Sequence, residues 1–215
     1  MPKPAQLIEK DFRYGAADPL PVMEQFYTLQ GEGSWTGTPA YFIRLAGCDV
    51  GCTWCDVKES WTADKDQHQS VEELAQAAAD AGADRVVITG GEPTIYDLTK
   101  LTKALHGLGM KVHIETAGVH PLQGDFDWVC LSPKKFKAPI PEFYAHADEL
   151  KVIIFHDSDF DWAETHAQQC PTTTQLFLQP EWSRRTRFTG PIVAYAKAHP
   201  RWRLSLQTHK WIEIP

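Results

Sequence analysis

Seven short runs rich in β-branched and aromatic residues, separated by stretches of helical periodicity, constrain this chain more than any other feature. Tyr41–Leu45, Arg85–Thr89, Lys111–Glu115, Trp128–Leu131, Leu150–Phe155, Leu176–Gln179 and Trp202–Leu206 each read as a strand. The clearest connecting helix starts at Ser70, an N-cap with Glu73 three residues on, and runs through Val71, Leu74, Ala75 and Ala78 toward Gly82. Further helices are expected over Leu98–Leu108, Asp159–Gln168 and Pro191–His199, while the links after Glu115 and Leu131 are too short or too proline-rich for full helices. Strands joined by crossovers imply a mainly parallel sheet. Eight such units close a barrel of about 250 residues. A 215-residue chain with abbreviated helices is therefore expected to form an incomplete, open TIM-like β/α barrel, one domain over residues 1–215.

In such a fold the chemistry sits at the carboxyl ends of the strands. That edge collects Cys48–Asp56 after the first of the seven runs, Gly90-Gly91-Glu92-Pro93 after the second, Thr116 at the third, Ser132-Pro133-Lys134 after the fourth and Gln179-Pro180-Glu181 after the sixth. The net charge of -7 opposes a phosphate-binding surface, so nucleic acid is not an expected ligand. Met1–Gln6 lacks the apolar stretch of a signal peptide, and no run of about 18 apolar residues predicts a membrane span. A cytoplasmic location is expected.

Three of the five cysteines, Cys48, Cys52 and Cys55, fall within one short loop as C-x3-C-x2-C. They crowd too closely for a disulfide framework, which fits a reducing compartment, and Cys130 and Cys170 read as ordinary buried thiols. A structural zinc site closes with four protein ligands, whereas a [4Fe–4S] cluster held by three thiolates leaves one iron open to a small molecule. Two readings follow from the cysteines alone: such a cluster, or a non-enzymatic zinc-binding module completed by a distant His or Cys. Soft, anionic thiolates suit iron, and a loop directly after a strand can wrap three of them around a cluster.

The spacing C-x3-C-x2-C with Trp54 just before the last cysteine resembles the radical S-adenosylmethionine family. In that family a three-cysteine [4Fe–4S] cluster binds S-adenosylmethionine through its open iron and cleaves it reductively to a carbon radical, and Gly90-Gly91-Glu92-Pro93 resembles its GGEP motif. There, paired glycines let backbone approach the ligand and Glu92 suits the cofactor's ammonium. Further stations narrow the likeness: Tyr27-Thr28-Leu29-Gln30-Gly31-Glu32-Gly33, Thr89-Gly90-Gly91-Glu92-Pro93-Thr94, Glu115-Thr116-Ala117-Gly118, Leu131-Ser132-Pro133-Lys134, Phe177-Leu178-Gln179-Pro180 and Leu206-Gln207-Thr208-His209-Lys210 together resemble the 7-carboxy-7-deazaguanine synthase family over nearly the whole chain.

That resemblance implies a lyase that contracts the ring of 6-carboxy-5,6,7,8-tetrahydropterin to 7-carboxy-7-deazaguanine with loss of ammonia, on the route to queuosine and related 7-deazapurines. It implies that Leu29, Gln30, Gly31, Glu32, Arg44, Thr89, His209 and Pro215 bind substrate, with Arg44 a natural fork for a carboxylate. It implies that Trp54, Cys55, Asp56, Gly91, Glu92, Ser132, Pro133, Lys134, Gln179, Pro180, Glu181 and Trp182 hold S-adenosylmethionine. A reductase or flavodoxin-type electron donor and a homodimer are expected on the same ground. One departure stands out: Val57 occupies the position of the family's Thr or Ser ligand to Mg²⁺, and valine offers no side-chain oxygen, so magnesium dependence is expected to be weak or absent. The nearest rival is an activase that makes a glycyl radical in a partner enzyme.

Overall fold

A computed structural model describes residues 18–62 and 67–215; the reading of Met1–Gln6 lies outside them. The chain forms β1 (Leu20–Leu29), β2 (Pro39–Leu45), β3 (His68–Gln69), α1 (Val71–Asp80), β4 (Arg85–Gly90), α2 (Thr99–Gly107), β5 (Lys111–Thr116), β6 (Trp128–Leu131), β7 (Glu149–Ile154), α3 (Asp159–Ala167), β8 (Gln175–Pro180), α4 (Arg185–Ala198), β9 (Trp202–Leu204) and α5 (Thr208–Ile212). Short 3₁₀ turns punctuate the connections, including Gly33–Trp35 and Pro93–Ile95.

All nine strands join one sheet in the order β3-β1-β2-β4-β5-β6-β7-β8-β9. β1 runs antiparallel to β2 and β3, and every later pair is parallel. Among the described residues β3 and β9 do not pair with one another, so the curved sheet stays open, as the sequence predicts. The seven expected strands are all present, with β9 ending at Leu204 rather than Leu206. Two strands escaped the sequence reading. β1 has only its first three residues fully buried and a register shift between Val22 and Glu24, so no clean alternation announces it. β3 is two residues long.

Helices α1–α4 cover the outer face. Ser70 accepts from the Glu73 amide at 3.2 Å while Glu73 Oε2 accepts from the Ser70 amide at 2.8 Å, closing the predicted capping box of α1, worth about 1 kcal/mol. Its Val71, Leu74, Ala75 and Ala78 are buried. α4 starts at Arg185, six residues before the expected Pro191, and carries that proline inside. Phe188 and Ile192, four apart and both 0% exposed, hold the earlier turn against the core, and that burial outweighs the one hydrogen bond a proline forfeits.

Period-two alternation then divides each central strand. In β7, Leu150, Val152 and Ile154 lie in the core beneath the helices, whereas Lys151 and Ile153 line the cavity inside the open barrel. In β5, Val112 and Ile114 join the core while Glu115 lines the cavity. The inner face is thus polar where a closed barrel would be packed with branched apolar side chains.

Candidate active site

A cavity of about 340 Å³ opens at the carboxyl ends of β2, β4, β5, β7 and β8, and the antiparallel β1 with the turn after it adds Phe26, Leu29, Gln30, Gly31 and Glu32 to its lining. One wall is the cysteine loop. Cys48, Cys52 and Cys55 all line the cavity, and all are free thiols. The loop is pinned by backbone bonds from Gly47 N to Ser60 O at 2.7 Å and from Cys55 N to Cys52 O at 3.1 Å. Val50, Ala117, Val119 and Trp61 pack around the thiols. Burial pushes Cys48 up to about 11 and Cys52 up to about 12. Their thiolates therefore form only against a strong positive partner such as a metal centre. Among the described residues no group of three or more His, Cys, Asp or Glu converges on a single-ion position. Three thiols on one loop supply one ligand fewer than a closed structural zinc site takes, and soft thiolates suit an iron–sulfur cluster with one open iron. Trp54 stacks with Phe155 at 6.5 Å and meets Phe136 edge-on at 5.9 Å, forming an aromatic flank to the loop.

The GGEP turn locks against that loop. Gly91 N donates to Leu45 O and Glu92 N to Gly47 O, both at 2.9 Å. A Cβ on Gly91 would meet Gly47 O at 2.1 Å, so the glycine is required by the protein's own backbone, beyond the ligand approach the sequence suggested. Glu92 is 1% exposed. Its Oε1 accepts from the Thr94 amide at 3.1 Å and from the Thr94 and Thr116 hydroxyls, and its Oε2 from the Ala117 amide at 2.8 Å. This carboxylate ties β4 to β5 at the cavity edge, and its oxygens already have protein donors.

The opposite wall is polar and cross-bonded. Lys151, 2% exposed, donates to Glu32 Oε2 and to Glu115 Oε2. Gln30 Nε2 donates to Glu115 Oε1 at 2.9 Å and Gln207 Nε2 to Glu32 Oε1 at 2.9 Å. Burial pushes the Glu32 carboxyl up, yet the charge and hydrogen bond of Lys151 with the bond from Gln207 hold it down at about 2. α5 closes this side. Thr208 N and Oγ1 both donate to Gly31 O, at 2.9 and 3.0 Å. Lys210 Nζ donates to Asp56 Oδ2 at 2.5 Å, joining α5 to the cysteine loop, and Thr28 Oγ1 donates to Pro215 O at 3.2 Å. A Cβ on Gly31 would stand 2.0 Å from His209 Nδ1, which explains why the Gly31 and His209 stations belong together.

Of the residues singled out in the sequence, Leu29, Gln30, Gly31, Glu32, Arg44, Thr89, His209 and Pro215 line the cavity, as do Trp54, Cys55, Asp56, Val57, Gly91, Glu92, Ser132, Lys134, Gln179, Pro180 and Glu181. Pro133 and Trp182 do not. Trp182 lies beneath Arg185 at 4.1 Å and edge-on to Trp211 at 5.7 Å. The arginines of 182–189, unexplained by the sequence, rest on aromatic faces or pair with acid: Arg184 covers Phe155 at 4.5 Å and Arg187 bonds Asp157 at 2.8 Å. Cys130 is buried as expected, and Cys170 is half-buried against the core. Sequence reading missed Lys151, Glu115 and Gln207 as site residues. The available signal was a charge in an otherwise apolar strand, Leu150-Lys151-Val152, and at the end of another, Ile114-Glu115.

The chain matches the Radical SAM superfamily model over residues 42–132. It is 52% identical over 196 residues to 7-carboxy-7-deazaguanine synthase from Flavobacterium psychrophilum, covering 91% of this chain and 93% of that one. It is 50% identical over 194 residues to the enzyme of the same name from Synechocystis, covering 90% and 93%. The crystal structure of QueE from Escherichia coli superposes with a TM-score of 0.80 at 34% identity, across 87% of this chain and 93% of that one. With three thiols and the partner stations of its amino- and carboxyl-terminal segments around one cavity, the chain belongs to the 7-carboxy-7-deazaguanine synthase family of radical S-adenosylmethionine enzymes.

Proposed function

We propose that the chain contracts the ring of 6-carboxy-5,6,7,8-tetrahydropterin to 7-carboxy-7-deazaguanine with release of ammonia. The observation that carries this reading is the single cavity shared by the three thiols and by Leu29–Glu32, Arg44, Thr89 and His209. When bound, a [4Fe–4S] cluster and S-adenosylmethionine supply a reducing electron and a carbon-centred radical able to remove hydrogen from the substrate. The protein holds, orients and shelters. Cys48, Cys52 and Cys55 would ligate the cluster and leave one iron open. Trp54, Asp56, Gly91, Ser132, Lys134 and Gln179–Glu181 would hold the cofactor. Arg44 Nε donates to Glu24 at 2.6 Å, fixing the guanidinium so that its remaining N–H donors can receive the substrate carboxylate. The docked α5 segment would exclude water from the pterin.

Magnesium is weakly needed or dispensable in this reading. Val57 has no side-chain oxygen, and its carbonyl already accepts from the Ser60 amide at 3.1 Å and hydroxyl at 2.6 Å. A reductase or flavodoxin-type donor would deliver the electron, the chain would act as a homodimer in the cytoplasm, and neither nucleic acid nor membrane would take part. Among the described residues no helix is long and apolar enough to cross a membrane.

The test is an anaerobic assay with reductant, S-adenosylmethionine and carboxypterin deuterated at the ring carbon that bears the carboxylate. Deuterium is expected in the 5′-methyl group of 5′-deoxyadenosine, with a rate indifferent to chelator or added Mg²⁺. Its absence from that methyl overturns the first step, and no turnover without a protein substrate favours the glycyl-radical activase.

A further inference from the structure

We propose that Lys151 is a positioning residue of the reaction, a buried ammonium that keeps Glu32 and Glu115 side by side in their acceptor form on the cavity floor. The inference rests on the ring-contraction reading above and adds to it a residue that neither motif nor spacing marks.

Lys151 projects from the middle of β7 onto the inner face and is 2% exposed, so it lies behind its two carboxylates. Glu32 comes from the loop after β1 and Glu115 from the end of β5; their side chains are 16% and 21% exposed and both line the cavity. Each carboxylate spends one oxygen on Lys151 and the other on an amide, Gln207 for Glu32 and Gln30 for Glu115. Every oxygen has one protein donor and a second lone-pair direction left over. A tetrahydropterin ring carries several N–H donors, and two ionised carboxylates are the acceptors that suit them.

Two carboxylates sharing one buried site, left without a cation, hold a proton between them, because both cannot ionise at close range. A protonated member donates where the substrate needs an acceptor. Lys151 removes that conflict, leaving the trio with one net negative charge. The other charged or titratable groups facing Glu32 and Lys151 are His209 and Lys210 of α5, Asp56 of the cysteine loop, Glu149 behind Lys151 on β7, Cys130 on β6 and Lys134. Burial opposes the charge on Lys151, yet Cys130, Glu115, Glu32 and Glu149 hold its pKa well above the usual lysine range.

The decisive variants are Lys151→Met, which keeps the buried stem and deletes the charge, and Lys151→Met combined with Glu115→Gln, which also removes one of the competing carboxylates. For Lys151→Met, kcat/KM with carboxypterin is expected to fall about tenfold or more near pH 6 and to recover toward pH 9, an acid limb absent from the parent. The double variant is expected to lose that limb. A Lys151→Met profile parallel to the parent's, whether lowered or not, overturns the proposal. A readout needing neither variant nor turnover is carboxyl ¹³C NMR of the parent chain labelled at glutamate. Glu32 is expected to stay ionised to below about pH 4, and titration above about pH 5 overturns the proposal. Should the parent fail to turn over carboxypterin, the ring-contraction reading fails, and the NMR titration still decides whether Lys151 holds the pair.

Discussion

The two walls of the cavity handle ionisable groups in opposite ways. On the cysteine side, Cys48 and Cys52 are surrounded by Val50, Ala117 and Val119, and burial drives both thiols toward their neutral form. On the floor, Lys151, Glu32, Glu115, Gln30 and Gln207 bond one another until each carboxylate oxygen has a donor. The first wall gains its charge only together with a bound metal group. The second is charged and oriented by the protein itself. Under the proposed function the contrast separates holding a cofactor from recognising a substrate, and each wall should be removable without the other.

The largest expected effect is on the first wall. Cys52→Ser should abolish turnover and the iron–sulfur absorbance of the reconstituted protein while leaving the fold and carboxypterin binding in place; a variant that keeps its colour and rate breaks the comparison. Next comes Glu32→Gln, which removes one of the two counter-charges of a buried ammonium while Glu115 stays, and should cost about 1–3 kcal/mol in denaturant unfolding, with the iron–sulfur spectrum unchanged. The parent has a matching acid signature. Because the folded Glu32 is held at about 2, below the usual carboxyl value of about 4.3, it contributes stability in full above pH 4 to 5, fading as pH falls toward about 2. Glu32→Gln should lose this limb in urea melts across that window.

Gly31→Ala comes third, since its Cβ would stand 2.0 Å from His209 Nδ1 and must displace α5. About a tenfold rise in KM is expected, again with intact colour. The smallest effect belongs to the link between the walls. Asp56 is half-exposed and bonded to Lys210, so Asp56→Asn should cost under about 1 kcal/mol of stability and less in high salt. A large loss there would mean that the walls are not independent.

Much of this was legible in the chain as written. Ser70 with Glu73 announced α1, and the seven β-rich runs announced seven strands of the open sheet, because the core-facing positions of the strands are mostly Val, Ile or Leu, as at Val112 and Ile114 or Leu150, Val152 and Ile154. Strand β1 was hidden, since β3 covers it only at Leu20 and Pro21 and the stretch beyond carries Glu24, Gln25 and Thr28 without strict alternation. The start of α4 was hidden by Pro191, a helix breaker in isolation whose cost is met by burying Phe188 and Ile192. In the site, local motifs revealed the cysteine wall because its three thiols sit on one loop. The floor was legible only in part: Glu32 falls in the amino-terminal station, but nothing local pairs it with Glu115, Lys151 and Gln207, which lie on three other segments.

The sequence by itself determined the donor set, the strand and crossover rhythm and the family, all of which are written in short spacings. Only the tertiary structure decided that Lys151 lies between Glu32 and Glu115, that Glu92 is spent on Thr94, Thr116 and Ala117, and that α5 seats on Gly31. The reason is physical: the charge state of a buried group is set by whichever partners the fold brings within a few ångströms, and chain distance carries no information about that.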